Sequence, residues 1–76
     1  MTTFEKFFSI SRGASVRIHD KPASEFKYGH FTGMPKRGSI QTVSHTTVEK
    51  SGKDPVVYVK YDKKHYGYHP GDIDVL

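Results

Sequence analysis

The chain has 76 residues, twelve Lys and Arg against eight Asp and Glu, a formal net charge of +4, and no cysteine. That length admits one domain burying a little over ~60% of its unfolded surface, and without cysteine neither disulfides nor thiolate zinc sites can staple it. Short apolar runs exclude a spanning helix and a secretory signal, so a soluble cytoplasmic protein with no membrane partner is expected. The positive balance favours polyanions, although a charge of this size also serves solubility.

The only expected helix comes first. Thr2 and Glu5 have capping-box spacing, and Phe4, Phe7 and Phe8 recur at i, i+3 and i+4 over about residues 3–9. So short a helix does not persist alone and must dock. Residues 1–13 are therefore read as a helical segment packing on the remainder, with Arg12-Gly13 breaking it.

From Ser15 the pattern changes to period two. In SVRIHD, Val16 and Ile18 alternate with Arg17 and His19, as in a half-buried strand. DKPAS turns the chain, since Pro22 cannot sit inside a central strand. EFKYGHFTGM is expected as a strand with Phe26 and Tyr28 on one face and Phe31 returned to it by a bulge at Gly29. PKRG turns again, SIQTVSHTTV is a strand rich in β-branched residues, and EKSGKDP is a polar loop tip.

PVVYVKYD and HYGYH flank the turn Asp62-Lys63-Lys64-His65. Pairing Asp62 with His65 sets Tyr61 against Tyr66 and Val59 against Tyr68, with Val57 on the same side. Tyr58, Lys60, Gly67 and His69 then occupy the other side. HPGDI is a tight turn, and IDVL is a last short strand. The expected fold is all-β: a small barrel of about five short strands over residues 14–76, closed because a chain this small can hardly protect open edges.

The succession YGHFTG, RGSIQTV, the hairpin VYVKYDKKHYGYHPGDI and a final DVL resembles an SH3-like (Src-homology-3-like) barrel of the KOW and Tudor kind. Gly38, Ile40 and Val43 follow that family's strand-opening glycine and alternation loosely, and its basic cluster is reduced to Lys36-Arg37. The resemblance implies binding rather than catalysis. KOW domains contact RNA, ribosomes, DNA or RNA polymerase, whereas Tudor-type domains hold methylated lysine or arginine in an aromatic cage. A small barrel of this kind also resembles the accessory proteins of bacteriophages.

The candidate nucleic-acid-binding residues are Tyr58, Lys60, His65 and His69 on the outer side of the hairpin, with Lys63 and Lys64 at its tip. Arg17, Lys27, Lys36 and Arg37 extend the set. A second expectation is a protein-interaction module that inhibits or redirects a host protein, docking through Phe4, Phe7 and Phe8 unless those rings cap the barrel. Tyr28, Phe31, Tyr61, Tyr66 and Tyr68 supply enough rings for a cation cage, but Val, Ile and Leu are few and the rings are assigned to the core. His65 and His69 stand four apart, over ~10 Å along a strand and too far to share a metal. No nucleophile carries an activating motif and no glycine run has phosphate-loop spacing, so neither an enzyme nor a cofactor is expected. The expected partner is DNA, RNA or a nucleoprotein complex; the alternative is one host protein.

Overall fold

In the computed structural model, which describes residues 3–76, the chain forms α1 (Thr3–Phe8), β1 (Ser15–Ile18), β2 (Ile40–Glu49), β3 (Asp54–Tyr61), β4 (Lys64–Tyr68) and β5 (Ile73–Val75). Short 3-10 turns lie at Ala23–Glu25 and Pro70–Asp72. The predicted helix is present, while Thr2 of its capping box lies outside the described residues. Period-two alternation holds in β1, where Val16 and Ile18 are fully buried and Ser15 and Arg17 are exposed.

All five strands pair antiparallel in the order β4-β3-β2-β1-β5. The ten-residue β2 serves both halves. Its first residues, Ile40 to Thr42, pair with β1, and its remainder pairs with β3. A register shift between Val43 and His45 leaves Ser44 as a bulge, and this is where the sheet bends. The bend brings Val16, Ile18 and Ile73 from one half against Val43, Val57, Val59 and Tyr68 from the other, with Phe7, Ile10 and Phe26 completing the core.

Two expectations are corrected. The sheet is not closed: among the described residues β4 and β5 each have one hydrogen-bonded neighbour. The Pro70–Asp72 turn carries the chain away from β4, and the three-residue β5 pairs with β1 instead. α1 packs on that turn and on β3, with Phe7 in the core and the Lys6 ammonium donating to the Ile73 carbonyl.

EFKYGHFTGM is not a strand. Residues 19–39 form one long connection, and Gly29 turns the chain at φ +84° rather than bulging a ladder. Phe26 enters the core, but Phe31 is 67% exposed, so no alternating row exists there. The connection is tied down by Asp72, whose carboxylate accepts from the Lys27 backbone N–H at 3.0 Å and pairs with the Lys21 ammonium. The Arg37 guanidinium donates to the Lys21 carbonyl at 2.6 Å.

The β3–β4 hairpin is tighter than its sequence suggests. Tyr61 opposes Lys64, leaving a two-residue turn in which Asp62 and Lys63 have φ of +50° and +64°. Two successive left-handed residues make a turn of the I′ type, which favours glycine at its second position. Lys63→Gly is expected to raise stability by about 0.5–1 kcal/mol in urea unfolding. An unchanged or lower midpoint would contradict this reading of the turn.

Candidate nucleic-acid interface

Because the observed hairpin register differs from the expected one by two residues, no side chain changes face. Val59 opposes Tyr66, and Val57 opposes Tyr68. Val57, Val59 and Tyr68 are buried, Tyr66 is half-buried, and Tyr61 is 39% exposed at the end of the row. Tyr58, Lys60, His65 and Gly67 lie on the opposite, outer side, as expected from alternation.

The outer side of β2, β3 and β4 has two ends of different chemistry. At the hairpin end Lys60 opposes His65, and His45 of β2 opposes Tyr58. The His45 ring stacks on Tyr58 with centroids 4.6 Å apart and planes inclined by 13°, and it lies 5.5 Å from the His65 ring. Ser44, thrown outward by the bulge, places its Oγ 2.9 Å from Nδ1 of both histidines. A hydroxyl has one proton and two lone pairs, so Ser44 can accept from both rings while donating to the Tyr58 carbonyl at 3.3 Å. Lys60, Lys63 and Lys64 are exposed and make no ion pair among the described residues. Lys64 opposes Tyr61 and so leaves the hairpin on the other side from Lys60.

At the other end the charge reverses. Glu49 opposes Asp54 where the β2–β3 hairpin closes, and Glu49 Oε1 accepts from the Tyr58 hydroxyl at 2.9 Å. That hydrogen bond, followed by burial and the Glu49 charge, raises the Tyr58 pKa. Tyr28 reaches over from the long connection, its hydroxyl donating to the Pro55 carbonyl at 2.9 Å. Its pKa is raised by burial and then by the charges of Asp54 and Glu49. Both phenols therefore remain neutral donors at physiological pH.

The other expected site residues are dispersed. Arg17 lies on β1 between Ile40 and Asp74, Lys27 and Lys36 are exposed on the long connection, and Arg37 is held by Lys21. Among the described residues, no hydrogen bond, ion pair or ring contact joins any of them to the hairpin group. His69 serves the turn that follows β4: its Nδ1 accepts from the Gly71 N–H at 3.0 Å, and its ring meets Tyr28 edge to face at 5.7 Å. Of the three phenylalanines, Phe7 is buried, while Phe4 is 36% and Phe8 73% exposed.

His69 and Tyr68 bracket the stability of the fold in pH. Burial, helped by the neighbouring Lys27 charge, lowers the His69 pKa from 6.5. The unfolded chain therefore takes up its proton first as pH falls through about 6.5, and stability drops on that side. Burial raises the Tyr68 pKa, and its hydroxyl has no hydrogen-bond partner among the described residues. Here the unfolded chain ionises first as pH rises through about 10, so stability drops on the alkaline side. Thermal unfolding from pH 5 to 11 should show both limbs. His69→Asn, which keeps an acceptor for Gly71, should flatten the acid limb, and Tyr68→Phe the alkaline one; limbs unchanged in these variants would refute the assignment.

Sequence reasoning did not find Ser44, His45 or the Tyr28–Glu49–Asp54 grouping. One signal was present: Val43 and Val48 are five apart and would face opposite ways on a regular strand, yet both pack on the core. That parity break marks the bulge that exposes Ser44 and His45. Nothing in the sequence places Tyr28 beside residues of the β2–β3 hairpin. No described helix is long and apolar enough to cross a membrane, and no cluster of three metal-ligating side chains occurs among the described residues. Comparison with family models, curated proteins and solved structures finds no match.

Proposed function

We propose that the chain is a non-enzymatic binding module of SH3-like architecture that holds nucleic acid, alone or within a nucleoprotein complex, with low sequence specificity. The observation that carries this reading is the hairpin end of the outer face. Lys60 and Lys63, which make no ion pair among the described residues, stand with His65 beside the stacked His45–Tyr58 pair, and Lys64 lies at the same tip. Phosphates would be neutralised there, and bases would stack on the His45–Tyr58 pair. No helix among the described residues is long enough to enter a groove, which favours backbone contact over base readout. Support for the architecture comes from the meander order, the long connection after β1 and the 3-10 turn before β5.

Anisotropy of a labelled single-stranded oligonucleotide tests the reading. With about three phosphates contacted, affinity for a single strand should fall roughly 20-fold between 50 and 200 mM salt. Replacing Lys60, Lys63 and Lys64 together by alanine should remove most of that slope. A salt-independent affinity, or a slope untouched by the triple replacement, would sink the proposal.

A second reading rests on Phe8, which stands exposed beside Phe4 and Phe7 with centroids at 6.0 and 5.4 Å. Such a cluster could dock on one host protein that the module inhibits or redirects. In that case nuclease treatment of a lysate would leave capture of one defined protein intact, and Phe8→Ser would abolish it.

A further inference from the structure

Two imidazoles converge where strand spacing alone would keep them apart. His45 on β2 and His65 on β4 are separated by β3, and strands two apart in a sheet lie about 9.5 Å from each other. Their ring centroids are nonetheless 5.5 Å apart, so both rings lean over β3 toward one point. Ser44 Oγ sits at that point, 2.9 Å from Nδ1 of each ring. The bulge puts it there, since on a regular strand Ser44 and His45 would face opposite ways. Ser44 donates its own proton to the Tyr58 carbonyl, which leaves two lone pairs for the rings. The His45 ring is further held by its stack on Tyr58, whose hydroxyl is bound by Glu49. The other three histidines are each held singly: His19 against Asp74, His30 against the Pro35 carbonyl and His69 against the Gly71 N–H.

This spacing of donors fits a metal ion. With bonds of ~2.0–2.1 Å, donors at right angles lie ~2.9 Å apart, whereas donors in a tetrahedron lie ~3.4 Å apart. Both distances from Ser44 match the right-angled arrangement, which copper(II) and nickel(II) favour over the tetrahedron of zinc(II). Of these ions copper(II) binds a given nitrogen and oxygen site most tightly. A neutral imidazole frees Nδ1 for an ion by carrying its proton on Nε2, and both rings are exposed and can turn to do so.

We propose that His45 and His65 bind copper(II) through Nδ1, with the Ser44 hydroxyl as a third, weaker donor and water completing the shell. Two imidazoles are fewer than the protein ligands of a structural or catalytic zinc site, so the ion exchanges with solvent and does not hold the fold together. Lys60 opposes His65 on the same side, but its ammonium rides on a flexible, hydrated stem that can turn away. The site shares His45 and His65 with the proposed base-stacking face. A bound ion would add positive charge where phosphates are proposed to sit; that consequence, unlike the metal site, rests on the nucleic-acid reading.

Copper(II) chloride is added below stoichiometry to the isotope-labelled chain at about pH 7, where imidazole is largely neutral. No nucleic acid is present, so the metal site and the nucleic-acid reading can fail separately. Paramagnetic broadening should erase the amide signals of Ser44, His45 and His65 first. Electron paramagnetic resonance should show a tetragonal copper(II) centre coupled to two imidazole nitrogens. His45→Gln and His65→Gln should each weaken copper binding at least tenfold, and Ser44→Ala about threefold, with the dispersed amide spectrum retained. His19→Gln should leave the affinity unchanged. Broadening that begins at the N-terminus or spreads evenly over the five histidines would overturn the proposal. So would coupling to a single nitrogen, or an affinity unchanged by any of the replacements at Ser44, His45 and His65.

Discussion

Asp72→Ala is expected to lower the unfolding free energy by about 2–3 kcal/mol and the melting temperature by roughly 10–20 °C. The Asp72 side chain is only 5% exposed, yet it holds both the Lys21 ammonium and the Lys27 backbone N–H. Removing it leaves the part-buried Lys27 amide without its acceptor and a cation without its partner. Breaking a fully buried pair costs ~3–5 kcal/mol, but Lys21 is 28% exposed and can turn to water, so the lower range applies. Lys21 also lies 5.2 Å from the centre of the Phe26 ring, and the long connection loses that contact as well. Asp72→Asn, which keeps an acceptor for Lys27, should cost about half as much. In a Lys21→Met background the alanine replacement should cost less than in the parent chain, because the cation it orphans is gone. A loss below ~0.5 kcal/mol in the parent chain would show that other contacts hold the connection.

Phe7→Ala is expected to cost about 3 kcal/mol, the lower end for a buried aromatic because α1 lies at the margin of the core. A helix of six residues has no stability of its own, so losing its one buried side chain undocks it. Phe8→Ala, one residue away and 73% exposed, should change stability by less than ~0.5 kcal/mol. Against a total of roughly 4–11 kcal/mol for a chain of this length, the contrast is easily measured by urea unfolding. Equal losses at both positions would contradict the division of the cluster into one anchor and an exposed remainder. That division also makes Phe8, rather than Phe7, the position at which a docking role can be examined without unfolding the protein.

What could be read from the residues and what could not follow physical lines. The alternation of Val57, Val59, Tyr66 and Tyr68 with Tyr58, Lys60, His65 and Gly67 survived a two-residue error in hairpin register, because parity rather than register assigns the face. Val16 and Ile18 were equally legible for the same reason. Barrel closure was not legible, since it depends on where a 3-10 turn delivers three residues of β5. The stretch around Phe26, Tyr28 and Phe31 looked like a strand because its aromatic content has β propensity. Tertiary contacts overrode that propensity by drawing Phe26 inward, tying Lys27 to Asp72 and laying Tyr28 against Pro55. Acidic Glu49 and Asp54 read as part of a polar loop tip, and only cross-strand pairing made them one wall of a cavity. His69 read as part of a basic stripe because sequence shows the residue type and not the bond its ring accepts.

The proposal that the hairpin end grips nucleic acid is tested most directly by mapping where an oligonucleotide lands. Amide shifts of the isotope-labelled chain, followed while a short single-stranded oligonucleotide is added at 50 mM salt, should move saturably at His45, Tyr58, Lys60, Lys63 and His65. They should revert as salt is raised. Absence of shifts, or shifts confined to α1 or to the Glu49–Asp54 end of the face, would contradict it.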